Sequence, residues 1–199
     1  MIEILDKKNV IYIFRHLILA ITFVLLIELL KCVFNVVEPE ASAIKEKFLG
    51  NFVWSFIGVV AISPILEEVV FRLSLKKSNY YWVSILFSFL FFLMSKYIVT
   101  QIMCLLFVGS IIIYQFYDKI NLIRYILIIM SIMAFVSVHF DNYELNILRI
   151  VDIVILFLPQ FVLALILTKI RVQTCFRNSI IFHSVYNIIV LLFAFLFNF

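Results

Sequence analysis

Polar residues are sparse along this 199-residue chain and fall in short groups, with long apolar stretches between them. Such stretches suit helices of the ~20 residues needed to cross a ~30 Å hydrocarbon core, and not the alternating ~10-residue segments of an outer-membrane barrel. Reading from one charged break to the next predicts spans at residues 10–36, 48–66, 80–94, 97–117, 122–140, 147–168 and 178–197. Only Ser95 and Lys96 separate the third from the fourth, so the two form either a tight hairpin or one span with an interfacial piece. The total is therefore about seven, with six as the alternative. No internal repeat breaks the pattern, and the longest polar link, 38–47, is too short for a domain. The expected architecture is all-α: a polytopic transmembrane helical bundle forming a single membrane domain over 1–199.

Composition narrows the class. Charged residues make up 14% of the chain against roughly a quarter in soluble domains, and 66% of it is hydrophobic. With 23 Phe but only 3 Gly and 3 Pro, disordered, collagen-like and turn-rich all-β classes are excluded. The net charge of +4 is scattered and not gathered in a basic arm, so the lipid bilayer is the expected partner and nucleic acid is not. Alternating the spans puts most of the 16 Lys and Arg on the N-terminal side, among them Lys7, Lys8, Lys76, Lys77, Lys119 and Arg124. The opposite side holds Lys31, Lys45, Lys47, Lys96 and Arg149. That asymmetry predicts a cytoplasmic N-terminus. The opening MIEILDKKNV lacks a cleavable-signal pattern, so the first span is expected to persist. Cys32, Cys104 and Cys175 lie in separate apolar stretches without CxxC spacing and read as packing residues. The Ile-, Phe- and Asn-rich composition reads as that of a bacterial cell-membrane protein.

Ionisable groups inside a bilayer cost several kcal/mol unless paired or wet, and they mark candidate sites. Three clusters qualify. In Pro64-Ile-Leu-Glu67-Glu68-Val-Val-Phe71-Arg72, helical spacing puts Glu68 and Arg72 four apart on one face, as an ion pair, and turns Glu67 about 100° away as the free carboxylate. Phe135-Val-Ser-Val-His139 ends an apolar run in an imidazole, and His183-Ser-Val-Tyr-Asn187 places an imidazole and an amide on one face. Taken singly, each also reads as an interfacial cap or as interhelical hydrogen-bond glue. Together they hold the parts of a hydrolytic site. Strict alternation puts Glu67 and His139 late in their spans and His183 early in its own, so they meet only if the second and fifth helices run past their motifs.

The ordered motifs EExxxR, FxxxH and HxxxN, each on its own apolar segment, resemble the CaaX protease and bacteriocin-processing family, also called Abi, across residues 63–187. The resemblance implies an intramembrane glutamic endopeptidase in which Glu67 and His139 activate a water. His183 and Asn187 would lie near the scissile carbonyl, with Glu68 and Arg72 in support. The chemistry also stands on the residues themselves. A carboxylate in an apolar wall is tuned toward general-base use, an imidazole relays its proton, and an imidazole or amide N–H suits an oxyanion. No cofactor is expected. The less favoured alternative puts zinc on Glu67, His139 and His183, a three-ligand set with an open position for water. The expected substrate is a peptide or membrane-protein segment delivered from the bilayer. The rival function is a non-enzymatic membrane immunity or scaffold protein that binds a partner's membrane segment. Transport fits less well, because broken midplane helices want more than 3 Gly.

Overall fold

The computed structural model describes residues 7–36, 50–77, 79–143 and 148–197, so the polar link at 38–47 lies outside the described residues. Seven helices follow one another without a strand among the described residues. Helix α1 is Lys7–Phe34, and α2 is the composite rod Phe52–Leu75. Helix α3 is Tyr81–Met94, α4 Ile98–Phe116, and α5 Asn121–Val138, prolonged by a 3₁₀ turn over His139–Asn142. Helices α6, Ile150–Gln173, and α7, Phe176–Phe197, complete the bundle. Six of the seven are long and apolar enough to cross a membrane, α3 being too short, and the chain is a multi-pass membrane protein. The Ser95–Lys96 break is the turn of a hairpin between α3 and α4, where Ser95 caps α3 through its N–H to the Phe91 carbonyl at 3.0 Å.

Polar contacts at the two ends of the bundle keep the helices in alternation. At one end Lys77 pairs with Asp118 at 2.9 Å, Tyr12 donates to Gln173, and Lys76 Nζ donates to the Thr174 carbonyl at 2.9 Å. Lys77 donates a hydrogen bond to the Asp118 carboxyl and holds it below the usual carboxylate range. At the other end the Lys96 N–H donates to Asp141 at 2.8 Å and the Tyr97 hydroxyl to the Tyr143 carbonyl at 2.7 Å. Arg149 closes this end: it pairs with Asp152 at 2.7 Å and also donates to the Asn35 carbonyl at 2.9 Å, capping α1 from the start of α6. Cations at helix C-termini are favoured because the last carbonyls lack intrahelical donors.

The second and fifth helices do run past their motifs. α2 continues from Glu67 to Leu75 and the fifth span reaches Asn142, which brings Phe71 and Phe135 to one level with ring centroids 5.7 Å apart and edge to face. Around them Phe107, Ile111, Leu127, Leu167, Ile170 and Phe182 are buried as the core. In lipid the outer faces gain nothing from burial, so packing and interhelical hydrogen bonds hold the helices together. Three serine or threonine hydroxyls do this through backbone carbonyls: Ser84 to Val69 at 2.8 Å, Ser131 to Phe71 at 2.6 Å, and Thr100 to Ser137 at 2.7 Å.

Asp152 is fully buried while Arg149 is about half exposed, so removing the arginine side chain takes a charge partner from a buried carboxylate. Arg149→Ala is expected to destabilise the bundle by about 1–3 kcal/mol, read as an earlier unfolding midpoint in detergent, whereas Lys77→Ala at the exposed pair should move it by less than about 1 kcal/mol.

Candidate active site

The first motif sits on an irregular helix. After Phe52–Ile57, α2 passes through a π-helical turn at Gly58–Ile62 and returns to α-helix at Ser63–Phe71. The cause lies in Pro64. The Ser63 N–H reaches back five residues to the Gly58 carbonyl, and Pro64 has no N–H to give to the next carbonyl, that of Val59. A bare carbonyl in hydrocarbon needs a donor from elsewhere. Asn187 of α7 supplies it, donating from Nδ2 to the Val59 oxygen at 2.8 Å.

One turn further on, the two carboxylates are held differently. Glu68 is fully buried, with Oε1 3.8 Å from Nη1 of an equally buried Arg72, a charge contact longer than a hydrogen bond. The guanidinium lies over the Phe135 ring, its central carbon 4.0 Å from the centroid, so a cation–π contact supplements the pair. Glu67, turned away as its spacing implies, is side-chain exposed by 14% and accepts a hydrogen bond from the Ser63 hydroxyl through Oε1. Its buried Oε2 accepts no hydrogen bond.

His183 stands between the glutamates, Nδ1 3.3 Å from Glu68 Oε1 and Nε2 3.6 Å from Glu67 Oε2. Phe135 also touches both imidazoles, with centroids 4.8 Å from His139 and 6.1 Å from His183. His139 Nδ1 donates to the Phe135 carbonyl at 2.8 Å, which fixes the tautomer and leaves Nε2 as the acceptor when the ring is neutral.

Glu67 and His139 line one cavity of about 310 Å³, together with Gly58, Ile62, Ser63, Leu66, Phe91, Val138 and Asn142. His183 and Asn187 are not among its lining residues. The geometry therefore separates the four candidates into two pairs. Glu67 and His139 face open space, whereas the groups expected as oxyanion donors are engaged within the protein, His183 by carboxylates and Asn187 by the carbonyl that Pro64 leaves bare. Glu68 and Arg72 share one face of α2, as their spacing implies, and neither is among the residues lining the cavity. Ser63, the fourth residue before Glu67, was legible as a same-face neighbour but was not singled out, and neither was the role of Phe135 as a platform for Arg72.

No three His, Cys, Asp or Glu side chains gather closely enough to hold a metal ion among the described residues. Compared with protein-family models, with curated proteins and with solved structures, the chain matches none.

Two outcomes follow for this cluster. Asn187→Ala should cost about 1–3 kcal/mol by orphaning the Val59 carbonyl, and in a Pro64→Ala background, where a backbone N–H is restored, most of that cost should vanish in a double-mutant cycle. Glu68→Gln or Arg72→Ala should destabilise by about 3–5 kcal/mol, seen as low membrane abundance and early unfolding, because each strands its partner's charge. An unchanged midpoint for both would place the pair outside the load carried by the core.

Proposed function

We propose that this protein is an intramembrane endopeptidase of the CaaX protease and bacteriocin-processing type, hydrolysing a peptide bond in a segment delivered from the bilayer, with its N-terminus in the cytoplasm. One observation carries the reading: Glu67, partly exposed and held through Oε1 by Ser63, lines a cavity whose other wall holds the His139 imidazole. A carboxylate lining such a cavity is placed to take a proton from a water held there. The resulting hydroxide attacks the scissile carbonyl, and the proton passes on to the leaving amine. Ser63 fixes the carboxylate on one oxygen, and His183 stands at the other, so the base is oriented from two sides. His139, with Nδ1 tied to its own helix, offers Nε2 as a second proton acceptor across the cavity. Glu68 and Arg72 then act as positioning residues through His183.

A cavity of about 310 Å³ accommodates a few residues of an extended chain and not a folded domain, and its walls are mainly apolar. An apolar peptide unwound at the scissile bond fits that description.

A second reading is favoured by a different observation. His183 and Asn187 serve as links between α7 and α2, which is what polar residues do in a scaffold or immunity protein that binds a partner's membrane segment.

Glu67→Gln keeps the shape while removing proton acceptance. In cells expressing wild type or the variant, profiling of cleaved membrane peptides should show products falling by about 10²–10⁴-fold for Glu67→Gln and for His139→Ala, at equal protein level. A scaffold would leave the profile unchanged. Purified protein in a strong chelator should keep its activity, whereas loss on chelation and recovery with zinc would move the water to a metal.

A further inference from the structure

Another cavity, which shares no lining residue with the one at Glu67, lies between the start of α1 and the end of α6. It encloses about 380 Å³ and is lined by Tyr12, Arg15, His16, Leu19 and Lys169. Two cations, from helices more than a hundred residues apart in the chain, thus face one space, and neither pairs with a carboxylate among the described residues. Both are exposed, and two cations lining one cleft present a positive face to an anion. The frame is built: the Tyr12 hydroxyl donates to Gln173 and ties α1 to α6, and His16 Nδ1 donates to the Tyr12 carbonyl at 2.8 Å, which orients its ring.

Depth identifies the anion. At 28 residues α1 is about 42 Å long and overhangs a ~30 Å core by about 6 Å at each end, so Arg15 and Lys169 root just inside the hydrocarbon edge and their heads reach the phosphate level. Inward of the cations α1 exposes Ile18 and Leu19, the start of an apolar track toward the membrane interior. An arginine fork and an ammonium above an apolar track match a phosphate with acyl chains attached.

We infer that the α1–α6 cleft is a binding site for the phosphate of an anionic phospholipid, held by Arg15 and Lys169 with the acyl chain along Leu19. The site does not depend on the proposed peptidase activity.

The test uses the full chain purified in detergent, with phosphatidylglycerol or phosphatidylcholine added and bound lipid counted by native mass spectrometry. Phosphatidylglycerol should be retained preferentially. The Arg15→Gln/Lys169→Gln double variant should lose about 30-fold in apparent affinity, and each single variant about fivefold, which covers the case of a double variant that does not fold. Lys119→Gln, which removes a cation elsewhere, should bind as wild type. Equal retention of the two lipids, or wild-type affinity in the Arg15 and Lys169 single variants, would overturn the site. Displacement of the lipid by millimolar glycerol phosphate would reassign it to a soluble phosphate and overturn the lipid.

Discussion

An ionised arginine with no exposed surface is the constraint around which this bundle is arranged. Arg72 cannot be left alone in an apolar interior, and its neighbours are chosen accordingly: Glu68 one turn back on the same helix, and the face of Phe135 from α5. Each neighbour fixes another. Glu68 draws His183 from α7, and Phe135 carries both imidazoles against its ring. Three helices thereby converge on one charge. Displacing any of them exposes the guanidinium to hydrocarbon, which gives this region of the protein a single arrangement and not a family of similar ones.

The end of α2 shows the same logic in the backbone. A helix that stops inside a bundle leaves carbonyls without donors. Val69 is satisfied by Ser84 of α3, Phe71 by Ser131 of α5, and Arg72 by Nε of Arg171 of α6 at 3.0 Å. Together with Asn187 on Val59, four different helices grip the main chain of α2. The depth of the glutamates is set by these bonds more than by the hydropathy of their own span.

Much of this was legible in the residues. Apolar run lengths predicted the helices because an exposed backbone cannot cross hydrocarbon, and the four-residue spacing of Glu68 and Arg72 predicted their shared face. The same spacing put His183 and Asn187 on one side of α7, and both do point at α2. What they meet there was not legible. The demand for a donor at Val59 arises only once Pro64 has turned the preceding segment π-helical, and periodicity counts a π turn as an ordinary helix. The span count blurred for a related reason: α3 is as apolar as its neighbours and differs only in length, which soft boundaries obscure. The second cavity was not legible because Lys169, which completes it, comes from the far end of the chain.

That short helix changes the membrane as well as the count. Fourteen residues of α-helix measure about 21 Å, so on the flank where α3 meets lipid the bilayer is obliged to pinch by several ångströms or to let headgroups and water dip inward. Phe91 of α3 forms part of the wall around Glu67. The same flank that shortens the hydrocarbon therefore shortens the path from bulk water to the carboxylate, so the lipids that α3 deforms bring water toward Glu67.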